Sequence, residues 1–335
     1  MADKSILVTG GGGFLGKAII HLLKKDGYKL RSYSRGRYPE LEKLGVETFQ
    51  GNISDEAALE AAAQGCHAIM HVAAKAGVYG PYEEYYEANV RGTSNVIAVC
   101  HKLGIQRLIY TSTPSVTFDG GDQEGVDESS PYTQRFYNAY QRTKTIAETM
   151  VLKANSEKLA TVALRPHLIW GPGDTQLVPR IIDKGLKKQI KIIGKKPKII
   201  DAVYIDNAAY AHQLALEKLD PRSTISGQAY FITNHEPWPL ENVIGEILAC
   251  AGISGPTKHI PESIAYAAGA ILENTYKLLQ KTKEPPMTRF VARQLATSHW
   301  YDPKKATTEL GYEPKISMSE GFARLRSNMT HDLKS

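Results

Sequence analysis

The chain has 335 residues, 42% of them hydrophobic and 23% charged, which is the balance of a folded globular protein rather than a disordered one. Its net charge of +6 is too mild to imply a nucleic-acid partner, and it suits an anionic cofactor or an acidic small molecule equally well. The three cysteines, Cys66, Cys100 and Cys250, are far apart with no CxxC pair, so neither a disulfide framework nor a metal site is expected.

The first residues, Met1-Ala2-Asp3-Lys4, run straight into an apolar segment, residues 5–8, without the pattern of a signal peptide. No apolar run reaches the roughly 18 residues of a spanning helix, so a cytoplasmic protein is expected, at most peripheral to a membrane. In chain order, residues 6–8 read as a strand and 14–25 as a helix. Between them stands Thr9-Gly10-Gly11-Gly12-Gly13-Phe14-Leu15-Gly16, a TGxxGxxG turn. Gly10 permits the tight turn, Gly13 lets backbone approach a pyrophosphate, and Gly16 allows close helix packing. Free N–H groups at the helix start then face the phosphates.

The second strand, 30–34, runs into Tyr33-Ser34-Arg35-Gly36-Arg37. A site for NAD usually places a carboxylate here to bond the ribose 2′-hydroxyl. This chain offers none. The Ser34 hydroxyl beside two guanidinium groups, Arg35 and Arg37, suits a 2′-phosphate, so the expected cofactor is NADP(H).

Further strands over 46–49, 68–71, 107–111 and 161–164 alternate with helices over 56–63, 85–101 and 140–155. This alternation implies right-handed crossovers and a parallel sheet covered on both faces. It weakens after Gly171-Pro172-Gly173, where strands are expected only at 202–205 and 229–232. Residues 233–330 read as mainly helical, with breaks such as Glu284-Pro285-Pro286. The predicted fold is α/β: a Rossmann-type, doubly wound parallel sheet with a smaller, mainly helical C-terminal substrate domain. The sheet domain is expected over 1–175, completed by about 199–232, and the substrate domain over 176–198 and 233–330.

Tyr140 and Lys144 stand four apart in a helical stretch and so share one helix face. A free phenol has a pKa of about 10, and a nearby ammonium lowers it. Tyr140 can then exchange a proton with a substrate oxygen while hydride moves at carbon. The strand 107–111 ends in Ser112-Thr113, at the sheet edge where ligands bind, and a hydroxyl there would hold that oxygen.

Taken together, these residues resemble the extended short-chain dehydrogenases/reductases over almost the whole chain. The supporting segments are Thr9–Gly16, His71-Val72-Ala73-Ala74, Asn89-Val90-Arg91-Gly92-Thr93, Tyr110–Val116, Leu164–Gly173, Tyr204-Ile205-Asp206-Asn207 and Leu310-Gly311-Tyr312-Glu313-Pro314. The resemblance implies Tyr140, Lys144 and Thr113 as the catalytic set, with Ser112 as rival to Thr113. It implies a cofactor site of Gly10, Gly13, Phe14, Leu15, Gly16, Ser34, Arg35, Arg37, Asn52, Ile53, Ala73, Ala74, Lys75, Tyr140, Lys144, Pro166 and His167. Asn52 departs from the family, which often has Asp there, and Thr113 stands where Ser is frequent.

Within that superfamily the chain is similar to the 3β-hydroxysteroid dehydrogenase branch. Arg35–Pro39, Ala73–Gly77, Leu177–Arg180 and Pro285–Phe290 are also similar to the bacterial reductases of 2-alkyl-3-oxoalkanoic acids in long-chain olefin biosynthesis. The expected reaction is NADPH-dependent, reversible reduction of such an acid to the 3-hydroxy acid, with Arg180 as an anchor for the carboxylate. The alternatives are a 3β-hydroxysteroid or sterol-4-carboxylate dehydrogenase, and a non-catalytic NADP-binding sensor or scaffold. Against the last stand intact Tyr140, Lys144 and Thr113. Expected partners are a lipid-like acid or steroid, further copies of the chain and a multi-enzyme assembly. The seven lysines from Lys184 to Lys198 read as a solvated face or a docking surface. The apolar stretch 264–279 reads as core, substrate wall, partner contact or membrane contact.

Overall fold

The computed structural model describes residues 5–332; the expectation of a leaderless start falls on residues 1–4, outside them. Seven strands form the central sheet: β1 (Ser5–Thr9), β2 (Lys29–Ser34), β3 (Glu47–Gln50), β4 (Cys66–His71), β5 (Arg107–Thr111), β6 (Ala160–Pro166) and β7 (Gln228–Ile232). Their order is β7-β6-β5-β4-β1-β2-β3, and every pairing is parallel. The winding reverses between β1 and β4, and in such sheets that reversal opens a crevice at the strands' carboxyl ends.

Both sheet faces are covered, so inner strands such as β1 and β6 are largely apolar, the edge strand β3 (Glu-Thr-Phe-Gln) is not, and alternate residues serve opposite cores. Ile6, Val8, Met70 and Ile109 enter one core, and Leu7, Ile69, Leu108 and Tyr110 the other. The helices that cover these faces are α1 (Phe14–Lys25), α2 (Glu56–Ala63), α3 (Gly92–Leu103), α4 (Ala139–Lys153) and α6 (Ile205–Lys218), while α5 (Leu177–Leu186) packs against the later helix Leu240–Cys250. Of these, α1 and α6 pack together in the first core, while α2, α3 and α4 fill the second. The C-terminal part adds α7 (Leu240–Cys250), α8 (Glu262–Leu278), α9 (Arg289–Ala296) and α10 (Met318–Asp332).

Two expectations change. The helix read over 85–101 starts at Tyr82, passes through a π-helical turn at Tyr86–Arg91 and ends at Leu103. The strand read over 202–205 is only Val203–Tyr204; it pairs with Ile169–Trp170 rather than joining the main sheet, and α6 begins at Ile205. In addition, a small second sheet joins Trp238–Pro239, Ile199–Ile200, His299–Tyr301 and Gln123–Val126. The region after 233 is therefore mainly helical but anchored by strands, one of them from the N-terminal half. Strands of two to four residues are too short to show a hydrophobic period.

A buried ion pair fastens α4 to β6. Arg165 Nη2 and Nε reach the Glu148 carboxylate at 2.6 and 3.1 Å, and the Tyr132 hydroxyl donates to it at 2.8 Å. Removing one partner strands a charge out of water, at a cost of about 3–5 kcal/mol. Glu148→Ala is therefore expected to lose stability of that order in urea titrations, and a loss below about 1 kcal/mol would show the pair to be solvated.

Candidate active site

A single cleft of about 1500 Å³ lies over the carboxyl ends of the strands. Every site residue expected from the sequence lines it except Arg37. Arg37 Nε and Nη2 instead bond Glu42 at 3.2 and 3.3 Å, in a smaller depression that shares Ser34 and Tyr38 with the cleft. The two arginines of the β2 end thus separate: Arg35 faces the cleft and Arg37 an acid of its own neighbourhood.

The glycine turn is as tight as its sequence implies. Gly10 has φ +70°, and a Cβ there would stand 2.9 Å from the Ala73 backbone. A Cβ on Gly16 would stand 2.2 Å from the Gly10 carbonyl oxygen, so the contact this glycine protects is helix against turn. Gly13 caps α1 without a side-chain acceptor, and no acid occupies the helix's first turn. The first amides of α1 therefore lack side-chain caps where the helix meets the cleft, the arrangement that receives phosphate. Gly12 N–H donates to Ser34 Oγ at 3.1 Å, so the Ser34 hydroxyl supports the turn from behind.

Tyr140 and Lys144 lie on the first turns of α4, whose start is fixed by the Asn138 side chain accepting the Gln141 N–H at 2.8 Å. Lys144 Nζ donates to the Thr111 carbonyl oxygen at 2.7 Å and stands 4.1 Å over the Tyr110 ring. The Thr113 hydroxyl faces the Tyr140 phenol. It also accepts the Ser115 N–H at 3.2 Å, whereas the buried Ser112 Oγ has no hydrogen-bond partner in the structure. Geometry thus puts Thr113, rather than Ser112, against the tyrosine.

The protein alone does not lower the phenol as expected. Burial raises the Tyr140 pKa, with the Thr113 hydroxyl acting the other way. Burial also pushes Lys144 down to about 7, opposed by the Glu148 carboxylate. His71 and His167 are pushed down to about 3 and about 4, both chiefly by burial. These histidines are neutral at neutral pH. His71 bonds Thr9 and Thr93 at 2.8 and 3.0 Å, and His167 Nδ1 bonds the Asp201 carbonyl oxygen at 3.0 Å.

Two residues that the sequence reading held only inside matching segments have roles it did not give them. Leu168 lines the cleft with φ +46°, a conformation uncommon outside glycine. Asn89, inside the π-helical turn, accepts the Lys75 N–H at 2.7 Å and donates to the Lys75 carbonyl oxygen at 3.1 Å and Thr143 Oγ1 at 3.0 Å. It thereby ties the loop after β4 to α4. Lys75 itself pairs with Glu84 at 2.8 Å, and Arg180 with Glu284 at 2.7 Å. Among the described residues no three His, Cys, Asp or Glu side chains are placed to hold a metal ion, and no helix is long and apolar enough to cross a membrane.

The sequence profile of the 3-beta hydroxysteroid dehydrogenase/isomerase family matches residues 7–260. The chain belongs to this family. It is accordingly an oxidoreductase of the alcohol–ketone type. It is 49% identical over 330 residues to the 2-alkyl-3-oxoalkanoate reductase of Shewanella oneidensis, covering 96% of this chain and 85% of that protein. It is 32% identical over 333 residues to the decarboxylating sterol-4-alpha-carboxylate 3-dehydrogenase of Mus musculus, covering 98% of this chain and 91% of that one. Among solved structures, the UDP-glucose 4-epimerase of Thermotoga maritima has a TM-score of 0.77 at 20% identity, covering 98% of this chain and 99% of that one. This last likeness concerns the fold alone.

Lys144 yields a stability prediction. Its folded pKa of about 7 lies below the ordinary 10.5, so between these values the unfolded chain binds the proton more tightly. The cost of burying Lys144 is full below about pH 7 and fades as pH rises toward 10.5. Urea titrations should find Lys144→Met more favourable to stability at about pH 6 than at about pH 10, by up to a few kcal/mol. A pH-independent difference would mean that Lys144 titrates normally.

Proposed function

We propose that the protein reduces a 2-alkyl-3-oxoalkanoic acid to the 3-hydroxy acid with NADPH, reversibly. The carrying observation is one continuous cleft that joins the glycine turn, the Thr113–Tyr140–Lys144 group and an apolar end. That end includes Leu177, Ile181, Ile244, Ile264, Met287 and Phe290, a fitting wall for alkyl chains. The similarity to a reductase of this substrate class over nearly the whole chain supports the same reading.

The cleft's glycine cradle and uncapped helix start fit a dinucleotide pyrophosphate. Asn52 and Ile53 would lie at the adenine, Ala73, Ala74 and Lys75 along the adenosine side, and Pro166 and His167 at the nicotinamide. Arg35 would take the 2′-phosphate with the Ser34 hydroxyl, whose O–H is left to donate, and without Arg37 unless that side chain leaves Glu42. When bound, the cofactor supplies the hydride that reaches the ketone carbon. Tyr140 gives its phenolic proton to the oxygen, Thr113 holds that oxygen, and Lys144 favours the phenolate that remains. Residues 176–198 and 233–330 are proposed as the substrate part, with Arg180 near the carboxylate.

A β-keto acid loses carbon dioxide readily, so direct handover between enzymes would protect it. This favours a place in long-chain olefin synthesis within a multi-enzyme assembly. Candidate docking surfaces are the lysine-rich 184–198 and the outward part of α8, where Ile271 and Leu278 are exposed.

The reaction is tested backwards with NADP⁺ and racemic 2-alkyl-3-hydroxy acids, which are stable. Long-chain branched acids should be oxidised with higher catalytic efficiency than 3β-hydroxysteroids, and the opposite order would assign the enzyme to sterols. In the same assay Tyr140→Phe should lower turnover by about 10²-fold or more with cofactor binding nearly intact. Thr113→Val should cost more rate than Ser112→Ala; the reverse would give the oxygen-holding role to Ser112. For the cofactor, Arg35→Ala should reduce the preference for NADP(H) over NAD(H) about tenfold or more. Equal efficiency with both cofactors in the unaltered protein would sink the phosphate assignment.

A further inference from the structure

Glu284 belongs to none of the site residues considered so far, yet its carboxylate is held by two parts of the cleft lining. It lies in the segment between α8 and α9. Oε1 accepts the Val78 N–H at 2.8 Å, and Oε2 pairs with Arg180 Nη2 at 2.7 Å. Val78 belongs to the loop that leaves β4, Arg180 belongs to α5, and both residues line the cleft. The segment is also held by Lys184, whose Nζ donates to the Pro286 carbonyl oxygen at 3.2 Å. Its neighbour Pro285 is buried, and the chain enters it through Gln280 at φ +49°. Residues 280–288 thus form a strap tied to two parts of the cleft by one carboxylate.

A guanidinium and a backbone N–H together make a seat for any carboxylate. The Arg180 side chain is 52% exposed, so its pair with Glu284 is of the weak, solvent-screened kind that exchanges easily. We propose that Arg180 and the Val78 amide are the seat of the substrate's carboxylate, and that Glu284 occupies it until the acid arrives and displaces it. This rests on the reading of the substrate as an acid. The exchange breaks no covalent bond and leaves the local charge balanced, since one carboxylate replaces another. Lys184, one helical turn beyond Arg180 and also in the lining, is the nearest cation on α5 to receive the released Glu284. Glu284 therefore acts as a specificity determinant. An acid can release the strap by exchange, whereas a neutral ketone of the same shape has nothing to exchange and meets it closed.

The seat is measured without turnover, by calorimetry of the full chain with 2-hexyldecanoic acid and with its primary amide. Neither ligand carries the 3-oxygen, so neither can react. The unaltered protein should bind the acid more tightly than the amide. Glu284→Gln keeps the shape and an acceptor for Val78 but removes the competing charge. It should tighten the acid about three- to tenfold and leave the amide unchanged. Arg180→Gln should weaken the acid about tenfold or more, again sparing the amide. Equal shifts for acid and amide in Glu284→Gln, or weaker acid binding, would show a structural clasp and overturn the proposal. So would an acid preference that survives Arg180→Gln. Thermal midpoints of both variants check that the fold is kept. The two readings fail separately: an intact, Arg180-dependent acid preference without turnover of any β-hydroxy acid removes the reaction and keeps the seat. Turnover of those acids without any acid preference removes the seat and keeps the reaction.

Discussion

Glu148 and Arg165 meet where water does not reach, with side chains 0% and 4% exposed. Taking both charges out of water is costly, and only near-ideal geometry offsets it. Here the guanidinium is bidentate and the Tyr132 hydroxyl takes up a further lone pair of the carboxylate. What the pair fixes is register. Sliding α4 by one turn, about 5.4 Å, would carry Tyr140 away from Thr113 and Lys144 away from the Thr111 carbonyl. A second fastener acts at the other end of the helix. Fully buried Gln141 donates to the carbonyl oxygens of Ser115 and Phe118 at 2.9 and 2.5 Å, and accepts the Tyr137 N–H at 2.9 Å. Lys144 lies between these two fixed points, and Tyr140 immediately precedes the first of them; both line the cleft.

A polar chain continues this anchoring beneath the glycine-turn side of the cleft, and its proton positions follow from its partners. Thr93 Oγ1 donates to the Asn89 carbonyl oxygen, so it can only accept from His71 Nε2–H. His71 Nδ1 is then the acceptor for the Thr9 hydroxyl, whose oxygen in turn accepts the Ala73 N–H. Each donor meets an acceptor only if the imidazole is neutral, which agrees with the downward push of burial on His71. The histidine is thus a structural connector between the ends of β1 and β4. Asn89 carries the connection on to Lys75 and Thr143, and the π-helical turn is the local distortion within which it sits.

The sheet was legible because its signals are local. Strand and helix periods, and the glycines around a turn too tight for Cβ atoms, each act over a few residues. The Tyr140–Lys144 spacing was legible for the same reason. What could not be read depends on contacts across long separations. Glu148 finds Arg165 seventeen residues away through tertiary packing, and Arg37 is drawn from the cleft by Glu42, an acid carried on the short helix Pro39–Lys43. Arg180 was placed in the cleft by its segment, but its partner Glu284 lies more than one hundred residues later. The two-residue strands of the second sheet have no sequence period at all; pairing partners define them.

The electrostatics of Tyr140 and Lys144 show what an enclosed site demands. One cause, burial, moves the two groups in opposite directions: the phenol up, the ammonium down. Both shifts favour the neutral pair, phenol and amine, over the charged pair that proton transfer needs. Glu148, one turn beyond Lys144 on α4, opposes this for the lysine, and the Thr113 hydroxyl opposes it for the tyrosine. Neither restores the ordinary values. For the proposed reduction, a proton donor held as neutral phenol is the right starting state, because the proton must be present before it can be given. On that proposal the phenolate would form only as the substrate oxygen takes the proton, and the low-dielectric setting penalises its premature appearance. Buried Lys144 is then placed to ionise as the negative charge arises beside it, since each charge lowers the cost of the other. The same burial that opposes each charge separately therefore couples the two.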